Sequence, residues 1–137
     1  MTKARRIKNL SGEVLAIFIP AGVSIQGIEF YTDPEMDFQL GAMRRPRGYE
    51  VEPHVHSPVE RELIGTKEVL FVRSGRISID FYDEDRKIVT SLEMAAGDVI
   101  YLHMGGHGIR FIEESVLLEV KQGPYIQDAD KVRFTIK

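Results

Sequence analysis

The pattern that most limits what this chain can become is a succession of short apolar runs, each cut off by a turn. "VLAIFIP", "IQGIEFYT", "FQLGAMR", "YEVEPHVH", "EVLFVR", "RISIDFY", "KIVTSLEM", "DVIYLH", "GIRFI" and "VLLEVKQ" follow one another, rich in Val, Ile, Phe and Tyr and bounded by Gly, Pro, Asp or Ser. Runs of this length and composition are strands. No stretch of twelve residues keeps a 3.6-residue apolar period, so helices have little place here. The expectation is an all-β, antiparallel sandwich or barrel with almost no helix.

Turn chemistry divides the runs. "RSGR" at 73–76 reads as a tight glycine hairpin between "EVLFV" and "ISIDFY", and "DEDR" at 83–86 as a polar turn before "KIVTSL". "AAGD" at 95–98 is a third turn, "HMGGHG" at 103–108 is too glycine-rich for a strand interior, and "QGPY" ends the last long run. No linker or composition shift interrupts the 137 residues, so a single domain over 1–137 is expected, with a C-terminal extension at 123–137.

Composition narrows the chemistry. The absence of cysteine removes disulfides, thiolate metal sites and cysteine nucleophiles, leaving imidazole and carboxylate as metal donors. With 18 basic and 21 acidic residues the net charge is -3, and the basic runs "KARR" and "RRPR" are short, which argues against a nucleic-acid partner. No apolar run nears the ~20 residues of a membrane span, and the expected location is the cytoplasm.

The four histidines lie at 54, 56, 103 and 107. On a strand, side chains at i and i+2 share a face, so His54 and His56 would project together. An H-x-H pair is weak evidence alone; the spacing around it says more. Gly48 precedes His54 by five intervening residues, and Glu68 precedes Gly75 by six. The block G-x5-H-x-H … E-x6-G resembles the first signature of the cupin family. The second signature, G-x5-P-x-G-x2-H-x3-N, is matched in part by Gly97, His103, Gly105 and His107. The two regions cover 48–75 and 97–111.

The resemblance implies a double-stranded β-helix, the cupin jelly-roll barrel. It also implies one divalent transition metal (Zn, Fe, Mn, Ni or Cu) held inside by three histidines and a glutamate. Carried across by position, the ligands would be His54, His56, Glu68 and His107. The chain departs from the family pattern at three points. Eleven residues, "SPVERELIGTK", separate His56 from Glu68; His103 stands where the signature has proline; and His107 comes one residue early with no Asn after it. Glu60 is the rival for Glu68 and His103 the rival for His107.

Strand parity adds a check: if Glu68 points inward, so do Leu70 and Val72, with Phe71 outward, which makes a homodimer plausible. The resulting expectation is a metal-binding cupin, a metal-dependent enzyme acting on a small polar molecule inside the barrel, with carbohydrate-related compounds among the candidates. His103 and Glu68 are its candidate proton carriers, and a non-catalytic small-molecule module is the alternative. Arg44, Arg45 and Arg47 could line the mouth, and Gln122 or Tyr125 could touch a ligand, although solvated strand ends and satisfied backbone groups are the plainer readings.

Overall fold

The computed structural model describes residues 2–136, apart from the side chains of 128 and 129; the ends of the expected 1–137 domain and 123–137 extension lie outside the described residues. Among the described residues ten strands form, all antiparallel, with a single 3₁₀ turn at Gln127–Asp130. The strands are β1 Arg5–Lys8, β2 Val14–Ile19, β3 Gly27–Phe30, β4 Gly41–Arg44 and β5 Glu68–Ser74, followed by β6 Arg76–Tyr82, β7 Ile88–Ala95, β8 Val99–Leu102, β9 Gly106–Phe111 and β10 Val116–Lys121. They make a five-stranded sheet in the order β1-β2-β8-β5-β10, a three-stranded sheet β7-β6-β9, and the hairpin β3-β4. The sheets do not close into a barrel. Among the described residues no helix is long and apolar enough to cross a membrane.

The chain divides into two compact units, Met1–Val23 with Gly65–Lys137, and Ser24–Ile64. In the first, the two larger sheets share one core. Ala16, Phe18, Leu70, Val72, Ile100 and Leu102 come from the five-stranded sheet, and Ile77, Ile79, Phe81, Leu92 and Met94 from the three-stranded one. β2 and β8 are buried on both faces, whereas β5 follows a period of two. In β5, Leu70 and Val72 are buried while Phe71, at 36% exposure, faces out, as parity from Glu68 requires.

The glycine turn at 73–76 is not a hairpin. β5 pairs with β8 and β10, whereas β6 pairs with β7 and β9, so Gly75 carries the chain from one sheet to the other. Its φ of 88° suits glycine, and an added Cβ would overlap the Ser115 hydroxyl and the Glu114 carbonyl. A turn signal records that the chain reverses; it does not record which sheet receives it. "AAGD" likewise crosses between sheets, from β7 to β8, and only "DEDR" joins hydrogen-bonded neighbours. β9 begins at Gly106, so the bend expected over 103–108 is confined to its first part.

The Ser24–Ile64 unit holds the β3-β4 hairpin, whose connection is fixed by side chains. The Thr32 hydroxyl donates to Gln39 Oε1 (3.0 Å) and accepts from the Leu40 amide (3.1 Å), and Gln39 Nε2 donates to the carbonyls of Asp33 and Met36. The expected strand "YEVEPHVH" is absent: residues 45–67 contain no strand. Pro46, Pro53 and Pro58 each remove a backbone donor from this stretch, which restricts it to an edge position at best.

Candidate functional site

The site begins with Glu68, the first residue of β5. It sits opposite Leu102 on one side and Lys121 on the other, in a row that continues through Leu70 and Val72 into the core. His107 lies on β9, opposite Phe81, in line with Ile109 and Ile79. The two rows face each other from opposed sheets, and His107 Nε2 comes within 3.5 Å of Glu68 Oε2. The carboxylate side chain is 15% exposed and the imidazole 33%.

The hydrogen bond from His107 holds the Glu68 carboxyl below its ordinary value. Burial opposes that shift, and the charges of His107, Lys121 and Lys131 assist it. Glu68 is therefore an anion braced by donors, suited to accept a proton, a ligand hydroxyl or a cation.

A cavity of about 680 Å³ opens beside the pair. Leu70, Leu102 and Ile109 make its apolar wall, His103 and Tyr82 add polar groups, and residues 130–134 run along it. Tyr82 is 2% exposed, and its hydroxyl is buried without a hydrogen-bond partner among the described residues. His103 follows β8, its amide bound to the Leu15 carbonyl at 2.8 Å. Its Nδ1 lies 2.7 Å from the hydroxyl of Tyr101, a fully buried residue. That contact fixes the ring orientation of His103 at the cavity wall.

His54 and His56 belong to the other unit. Both are exposed, and their rings meet edge to face with centroids 5.2 Å apart. His54 Nδ1 donates to the Glu52 carbonyl at 2.9 Å, which leaves Nε2 as the free lone pair. They thus stay neighbours without the strand expected to align them. Glu60, the rival carboxylate, is exposed in the same strand-free stretch.

Of the four expected ligands, the structure brings Glu68 to His107 and His54 to His56. Among the described residues no three His, Cys, Asp or Glu side chains are grouped to hold a metal ion. The donor chemistry fits a divalent transition metal, but two protein donors fall short of the three or four that such sites use.

Sequence reasoning missed Lys121, Tyr82, Tyr101 and the 130–136 segment. Lys121 reaches Glu68 only because β10 pairs with β5, a register that no local signal encodes. Gln122 follows its plainer reading: Oε1 accepts the Lys67 amide at 2.8 Å, just ahead of Glu68. The arginines do likewise, being exposed, with Arg45 stacked 4.6 Å from the Tyr49 ring centroid. Searches of family models, curated proteins and solved structures give no match to this chain.

Proposed function

We propose that this is a cupin-type binding protein whose ligand, a small polar molecule, occupies the cavity between the two sheets with Glu68 and His107 as its anchor. The observation that carries this reading is the pair itself, one ionisable group from each sheet, 3.5 Å apart beside the apolar patch of Leu70, Leu102 and Ile109. A pocket of this size with a few converging polar groups is the usual setting for a small ligand. In the catalytic form of the reading, His103, oriented by Tyr101, and Glu68 carry protons to and from the substrate.

A second reading adds one divalent transition metal, and the free Nε2 of His54 together with the Glu68–His107 pair favours it. Bound there, the metal would supply Lewis acidity.

Elemental analysis of protein purified without chelator tests the metal: close to one per chain is expected, and less than a tenth would end that reading. A thermal-shift screen of small sugars, hydroxy acids and amino acids tests the cavity. Binders should shift the wild type and lose their effect in His107→Ala; a binder indifferent to that change sits elsewhere.

A further inference from the structure

We propose that the C-terminal segment 130–136 is a strap that closes the cavity, latched by Phe134 between Tyr82 and Arg86. Residues 131–136 pair with no strand among the described residues, yet Lys131, Val132, Arg133, Phe134 and Ile136 all line the cavity. Of residues 130–136 only Phe134 is not exposed. Its ring meets Tyr82 edge to face at 5.2 Å, and the Arg86 guanidinium lies 5.3 Å from its centroid. Gly106 makes room for it: a Cβ there would stand 3.2 Å from the Phe134 ring. Two weaker ties add to it: the Thr66 hydroxyl lies 3.5 Å from Asp130 Oδ2, the outer limit of a hydrogen bond, and the charge of Lys131 acts on Glu68. The segment is thus fastened mainly by one side chain.

Arg86 supplies the independent observation. Its φ is 63°, the one positive value at a non-glycine among the described residues. The turn that holds it is overdetermined, with Asp83 Oδ1 accepting the amides of Asp85 and Lys87 and the Asp83 carbonyl accepting that of Arg86. Glycine would occupy this position with less strain. What glycine would lack is the guanidinium over Phe134. The strained arginine is therefore read as part of the latch.

The latch is tested with Arg86→Gly and Phe134→Ala in the full chain. Two rates are read by peptide mass spectrometry: initial tryptic cleavage after Lys131 and Arg133, and carbethoxylation of His107 by diethyl pyrocarbonate. Arg86→Gly should raise both about threefold with no fall in melting temperature, and Phe134→Ala about tenfold. Unchanged rates in both variants, or wild-type cleavage as fast as that of Phe134→Ala, would overturn the strap. A melting temperature lowered by Arg86→Gly would overturn the reading of its backbone. Neither rate uses a cavity ligand, so the strap stands or falls separately from the ligand reading above.

Discussion

The carboxylate of Asp98 accepts the Ala21 amide through Oδ1 at 2.8 Å and the Ala95 amide through Oδ2 at 2.9 Å, while its own carbonyl takes the Val72 amide at 3.0 Å. One residue thereby ties the turn ahead of β8 to the end of β2. Asp98→Ala returns both solvent-exposed amides to water and should lower unfolding free energy by about 1–2 kcal/mol, measured by urea denaturation. Glu68 makes a pH-dependent contribution. Its folded pKa lies below the ordinary 4.5, so the unfolded chain holds that proton more tightly. The stability it adds is present above the unfolded value and lost as pH falls through the lowered folded one. Glu68→Gln should therefore flatten the acid limb of the stability profile as pH falls below the ordinary carboxylate value. An unchanged acid limb would detach Glu68 from His107.

At the level of elements, Gly75 marks where β5 leaves one sheet and β6 enters the other. Gly75→Ala forces both a left-handed alanine and an overlap with Ser115, at a cost of about 2 kcal/mol or more in the same denaturation measurement. Nine of the ten runs read as strands become strands, because short β-branched and aromatic runs bounded by turn residues are a local property of the sequence. β1, "RRIK", was invisible because one buried residue, Ile7, among three charged ones carries no periodicity. "YEVEPHVH" alternates well enough to suggest a strand, but Pro53 interrupts its donors. The inward direction of Glu68 was legible from Leu70 and Val72, and its approach to His107 was not, since that depends on which sheet β6 and β9 join. Lys121 was hidden for the same reason: pairing partners distant in sequence leave no trace in either segment alone. Tyr101 differs, since it stands two residues before His103 and the i, i+2 period alone puts both on one face.

For the molecule as a whole, the two units should differ sharply in hydrogen exchange. Amides in β6 and β8, hydrogen-bonded on both sides, are expected to be protected by orders of magnitude, while those of 45–64 exchange near their intrinsic rate. If a metal gathers all four histidine and glutamate donors, adding zinc should slow exchange over 48–56 by at least tenfold. No change there would leave His54 and His56 outside the site. The order β1-β2-β8-β5-β10 also bears on synthesis. Both neighbours of β5 are encoded after it, and the last of them ends at Lys121. A nascent chain must therefore carry that apolar strand unpaired until β8 leaves the ribosome and paired on one edge alone until β10 does, and the wait is when chaperone capture or aggregation would act on it.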